Sequence, residues 1–285
     1  MANSNTNLEP VEKLCKLGTN IVGRTAAVTV GAAIAGLPGA YAGAVIGPVV
    51  STLSDSAVDF LSRDISARQN QRIGAGLSFA VNRIWERLLA GDQIRQDDFF
   101  TSLEGETSQA SQILEGVLIK CKNEYREKKI KLIGNIFANA AFLDIAPENV
   151  HSILRLAESL TYRQICVLGF HYTDSKNEKL GEILNTLSAA AQIPGDFGFF
   201  LRMELEELKT LKLIDFVHHD EKGFGIFTQP LGQMCDKLMN LALIEDSEFL
   251  TVFDKTGMEP LSGAMYRGPG KDKRKPPSSY RDITM

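Results

Sequence analysis

Between Arg24 and Asp55 the chain runs thirty residues without a charge, built from glycine, alanine and valine rather than leucine. The run reads TAAVTVGAAIAGLPGAYAGAVIGPVVSTLS. Gly39, Gly43 and Gly47 fall four apart, and Ala32, Gly36, Ala40 and Ala44 form a second row at the same spacing. On a helix, residues four apart share one face. Rows of small residues let a second helix approach closely, as helices do in lipid. Gly31, Gly36, Gly39, Gly43 and Gly47 are therefore the candidate helix-packing positions of a membrane-active or pore-lining segment. About twenty apolar residues span a bilayer, so the run is long enough. Pro38 and Pro48 would break or kink a helix in water. In a membrane, neighbouring helices can satisfy the freed carbonyls. Three readings stay open. The run is a close-packed helical hairpin turning near Leu37-Pro38-Gly39 and able to insert, a buried hairpin inside a soluble domain, or a peripheral or oligomer-interface segment. It is not a phosphate cradle, since it contains no GxxxxGK[ST], no GxGxxG, no Lys and no Arg.

The rest of the composition narrows the class. A chain of 285 residues with 44% hydrophobic and 23% charged residues can bury a real core. Its net charge of −4 and pI of 5.7 argue against a chain built throughout to grip nucleic acid. Cys15, Cys121, Cys166 and Cys235 are scattered without a CxxC. Neither disulfides nor a zinc site is expected, which fits a reducing compartment, and three of these thiols fall in apolar helical patterns. The opening MANSNTNLEPVEKLCKLG lacks the basic and apolar regions of a signal peptide.

The pattern predicts a mainly α protein in four parts. Residues 1–54 hold a short amphipathic helix over 9–22 and the small-residue segment. Residues 55–146 read as long helices that assemble an oligomer, one over 55–89 and a second unit over 97–143. Gly91 stops the first, and Asp97 and Asp98 start the second. Residues 147–250 show helices near Pro147, after a Thr161 cap, over 177–190 and over FLRMELEELKTLKL. Two short strands, LIDFVHH and GFGIFTQ, then turn at Asp220-Glu221-Lys222-Gly223, and Pro230 opens a closing helix. Helix, helix, helix, hairpin and helix is the winged-helix plan. Residues 251–285 lose periodicity and read as a disordered, mildly basic tail.

The segment EYREKKIKLIGNIFANAAF, then SILRLAESLTYRQICVL and the Thr228-to-Gly232 turn, resembles a group of Abi-alpha-like bacterial proteins. These are linked to abortive-infection phage defence, and the resemblance covers about residues 55–250. The glycine-rich segment before it is similar to the membrane-active part of Hailong-type effectors. Those are cryptic channels restrained by an oligonucleotide from a partner nucleotidyltransferase. The resemblance implies a self-toxic homo-oligomer at the bacterial inner membrane, most of the chain cytoplasmic, that depolarises the cell on infection. It also implies a short single-stranded oligonucleotide as ligand.

The residues are then weighed against other classes. No HExxH, GxSxG or spaced carboxylate pair is present, so an enzyme, a cofactor and a metal are not expected. His218 and His219 adjoin on a predicted strand and point to opposite faces. For anions, the best candidates are Lys120, Lys122, Arg126, Lys128 and Lys129 in one run, and Arg202, Lys209 and Lys212 in the other. The first run is either a solvated, ion-paired helix face or a contact for lipid head groups or a nucleotide. Glu204, Glu206 and Glu207 beside the second set oppose duplex phosphates, so a short single-stranded oligomer is the better nucleic-acid ligand. The leading expectation is an oligomeric membrane effector. The alternative is a soluble winged-helix regulator or adaptor that binds DNA or protein.

Overall fold

The computed structural model describes residues 48–49, 51–53, 55, 65–102, 106–170, 172, 195–219 and 223–254. The expected helices over 9–22 and 177–190, the five candidate packing glycines, and the tail beyond residue 254 lie outside them. The described residues are mainly helical, with one two-stranded hairpin.

Helix α1 (Ala67–Leu89) opens on a capping box. The Ser66 hydroxyl accepts the Gln69 N–H at 3.3 Å, and the Gln69 side chain accepts the Ser66 N–H at 3.0 Å. One unbroken helical unit from residue 55 is therefore corrected. Residues 65 and 66 are not helical, because Ser66 adopts an extended conformation to cap a new start. At the other end Gly91 takes φ +90, which ends the helix as its sequence position predicts.

The expected unit over 97–143 is also two helices. Asp97 caps a 3-10 turn at Asp98–Phe100. Helix α2 (Gln109–Asn123) and helix α3 (Glu127–Ala140) are then separated at Glu124, whose backbone is extended. The Glu124 carboxylate accepts the Arg126 N–H at 2.8 Å and pairs with Lys129 at 2.7 Å. This local bonding replaces the helical bonds that a continuous helix would have made.

Helices α1, α2 and α3 pack on one another. One close approach is glycine on glycine: a Cβ at Gly134 would stand 2.6 Å from the Gly76 carbonyl oxygen. A Cβ at Gly76 would in turn stand 2.6 Å from Cys121 Sγ. Every residue of α3 from Leu132 to Ala140 is buried, so α3 is the central rod of the fold.

Helix α4 (Pro147–Ser159) starts with proline in the first turn. Helix α5 (Tyr162–Gly169) starts with the expected Thr161 cap, closed reciprocally by Gln164. Helix α6 (Gly195–Thr210) leads into β1 (Ile214–His219) and β2 (Gly223–Thr228), paired antiparallel from Ile214–Thr228 to His219–Gly223. Helix α7 (Pro230–Met239) ends at Asn240, which takes φ 58. Helix α8 (Asp246–Asp254) follows, so the expected start of a disordered tail at residue 251 is corrected: residues 251–254 form the last turn of this helix. Its Phe249 stacks on Phe170 beyond the end of α5, with ring centroids 4.4 Å apart.

One buried cluster runs through all of this, from Val49 and Leu53 to Phe249. Helix α7 packs on α3, and two buried asparagines of α3 bind its C-terminal carbonyls. Asn135 Nδ2 donates to Met239 O at 3.0 Å, and Asn139 Nδ2 donates to Leu238 O at 2.9 Å. Carbonyls at a helix end lack helical partners, so these bonds meet a need that burial would otherwise leave costly.

Candidate interaction surface

Helix α6 divides its apolar residues between two faces. Leu201, Leu205 and Leu208 recur every three or four residues and are buried. Phe199, Phe200 and Met203 are 54%, 55% and 54% exposed. They lie at i, i+1 and i+4, and so share one outward stripe. The two aromatic rings meet edge to face, with centroids 5.7 Å apart. Three adjacent large apolar side chains in water on one helix mark a surface shaped for contact.

The carboxylates of α6 divide in the same way. Glu204 accepts from Arg163 Nε and from the Thr161 hydroxyl, the latter at 3.2 Å. Glu207 accepts from Gln164 Nε2 at 2.8 Å. Both therefore hold α6 to the first turn of α5. Glu206 is exposed one turn along from Met203. Of the acidic residues set against phosphate binding, two are thus committed to internal bonds.

The candidate anion-binding residues are placed as follows. Arg202 and Lys209 lie on α6, each with an interaction inside the protein. Lys212 is exposed in the turn after α6, at φ 59. The other set lies on α2 and α3, at a different part of the molecule. Lys120 pairs with Glu158 at the end of α4. Lys122 is half-buried, and its carbonyl accepts from Arg72 at 3.3 Å. Arg126 is exposed and stands over the Tyr125 ring at 5.8 Å. Lys128 pairs with Glu248 at 3.4 Å and stands over the Tyr162 ring at 5.5 Å. Lys129 is buried; its ammonium donates to Glu158 O at 3.1 Å and Leu160 O at 2.9 Å, and pairs with Glu124. An ammonium has three donors, so Lys129 has none left for a ligand. Three of the five residues, Lys120, Lys128 and Lys129, are thus ion-paired, and the first two pairs reach across to α4 and α8.

Phe199, Phe200 and Met203 were missed at the level of sequence. The signal was present, since Phe199-Phe200-Leu201 places apolar residues around more of the helix than one buried face needs.

Reactive groups are sparse among the described residues. Cys121, Cys166 and Cys235 are free and buried. Burial pushes the Cys166 and Cys235 thiols up to about 12 and the Cys121 thiol higher still. The Tyr162 hydroxyl donates to Glu248, and burial together with that bond raises its pKa. Burial also raises the Asp236 carboxyl. No group of His, Cys, Asp or Glu among these residues is arranged to hold a metal ion. No helix among them is long and apolar enough to cross a membrane.

No protein-family model matches the chain, and no curated protein or solved structure matches it.

Proposed function

We propose that this chain is an oligomeric effector that acts on the bacterial inner membrane through its uncharged small-residue run, with the helical body as its control platform. The observation that carries the reading is the run itself, with its two rows of small residues at helical spacing. Its attachment adds support: Val49 and Leu53, at the end of the run, are buried in the core of the body. A change in the body can therefore act mechanically on the segment. The resemblance of residues 55–250 to abortive-infection proteins supports a role in antiviral defence. The order α4, α5, α6, hairpin and α7 supports a winged-helix unit that senses a ligand or partner.

Release of a trapped dye from liposomes tests the reading. Wild-type protein is expected to release dye, and Gly43→Leu, which blocks close helix approach, is expected not to. Equal leakage by both would remove the small-residue face from the mechanism. No leakage, with the protein left unbound in the supernatant, would favour a second reading. That reading is a winged-helix adaptor, and the exposed Phe199, Phe200 and Met203 stripe favours it.

A further inference from the structure

One corner of the helical body gathers positive charge that few carboxylates answer. From Ile65 to Trp85 the chain contains no acidic residue. Arg68 and Arg72 lie in this stretch, one turn apart on one face of α1. Arg72 Nη1 donates to Lys122 O at 3.3 Å, which seats it against the end of α2. The turn from α2 to α3 follows at once, with Tyr125 73% exposed and the exposed Arg126 over its ring. Three elements thus bring Arg68, Arg72, Lys122 and Arg126 to this corner or within one helical turn of it.

Among the described residues, ion pairs take up Lys120, Lys128 and Lys129 but none of these four. Glu124 is buried against Lys129, which leaves Glu127 as the exposed carboxylate of the turn. The local balance is therefore positive in a chain whose net charge is −4.

The shape of the corner selects its partner. Sites for small ligands are concave, whereas this is the outside of a turn between two helices, with a tyrosine standing out from it. A single strand of nucleic acid is held by stacking successive bases on aromatic rings, and the corner offers Tyr125 alone. An anionic bilayer needs neither a cavity nor a row of rings. It attracts clustered Lys and Arg. It also takes tyrosine at the head-group level, where the ring is shielded and the hydroxyl stays wet.

We infer that the α2–α3 corner is the face that the body lays against an anionic bilayer. Tyr125 enters the head-group layer, and Arg68, Arg72, Lys122 and Arg126 meet the lipid phosphates. That occupant rests on the membrane reading above, while the contact itself is peripheral and separate from the uncharged run.

Fluorescence of Tyr125→Trp in the full chain tests it. Trp85, the other indole, is buried and gives a constant background. Vesicles of phosphatidylglycerol and phosphatidylcholine in equal parts should shift the emission to the blue, and brominated lipid should quench it. Phosphatidylcholine alone should do neither. Each basic residue at an anionic surface changes binding about fivefold. Adding Arg68→Gln, Lys122→Gln and Arg126→Gln should therefore weaken binding at least about twentyfold, with the circular dichroism unchanged. An equal response to both lipids, no response to either, or undiminished binding after charge removal would overturn the inference. The lipid comparison needs no charge variant, so it decides even where the triple variant fails to fold. A response to a short single-stranded oligonucleotide and none to vesicles would assign the corner to nucleic acid and overturn it too. Dye release without a Tyr125→Trp response would refute the corner and leave the pore standing. A response without dye release would support the corner and count against the pore.

Discussion

Lys129 shows how little a residue's type says about its task. It belongs to the most basic stretch of the chain, yet its side chain is only 6% exposed and its partner Glu124 only 7%. Removing one member of a buried pair leaves the other charged and unpaired. Lys129→Met is expected to cost about 3–5 kcal/mol, read as a lower urea midpoint. The double variant with Glu124→Leu should recover only part of that loss, because the Glu158 and Leu160 carbonyls and the Arg126 N–H also lose their partners. Asp97 is a milder case. The guanidinium of Arg95 holds its carboxyl below the usual 3.8, so the folded chain binds that proton more weakly than the unfolded chain does. Its stabilising contribution is therefore present above 3.8 and lost as the pH falls through the folded-state value. Asp97→Asn should flatten the dependence of the urea midpoint on pH as the pH falls below 3.8. The buried thiols invite a chemical test. A thiolate is the reactive form, so Cys121, Cys166 and Cys235 should be alkylated at neutral pH at least about a hundredfold more slowly in the native chain than in urea. Peptide mapping by mass spectrometry would show this, and rapid native labelling of any of the three would contradict the packing described.

Helix contacts depend on what is missing as much as on what is present. Gly134 lets α3 lie against the backbone of α1, and a methyl group there would meet the Gly76 carbonyl oxygen at 2.6 Å. Gly134→Ala is therefore expected to destabilise the chain by about 2 kcal/mol. Gly116, in α2, faces only the Leu154 side chain at 3.4 Å. Gly116→Ala should be neutral or stabilising by up to about 1 kcal/mol, because alanine favours helix. Thermal melts of the two variants would separate the effects. These elements also show what the sequence could reveal. Thr161, Gly91 and Pro230 act through bonds or torsions within their own few residues, so each was legible as a start or stop. Ser66 was equally legible, its Ser-x-x-Gln pattern being a capping box, but apolar periodicity ran across it and hid the break. Glu124 was not legible, because its extended backbone is held partly by a buried ion pair that exists only once α3 is in place. The same holds for the surface of α6. Glu204 and Glu207 turn inward only because α5 presents Arg163, Thr161 and Gln164 to them, and no local pattern encodes that meeting.

Across the whole molecule, the shared core makes cooperation the rule. Asn135 and Asn139 join α3 to α7 from about a hundred residues away in sequence, and the buried cluster continues through both. Fluorescence of the buried Trp85 on α1 and far-UV circular dichroism should therefore report one coincident unfolding transition in urea. Two separated transitions would mean that the helices before and after residue 146 fold as independent units. A last consequence comes from the place where the uncharged run enters this core. Pro48 is exposed and Val49 is fully buried, so the chain passes from surface to interior in one step. One residue spans less than about 4 Å. A bilayer that took up the run as far as Gly47 would thus have no slack between itself and the body. The body could neither drift away nor turn over, and it would lie with one fixed side against the head groups, as a ship moored by its bow on a line of no length shows the quay the same plank at every tide.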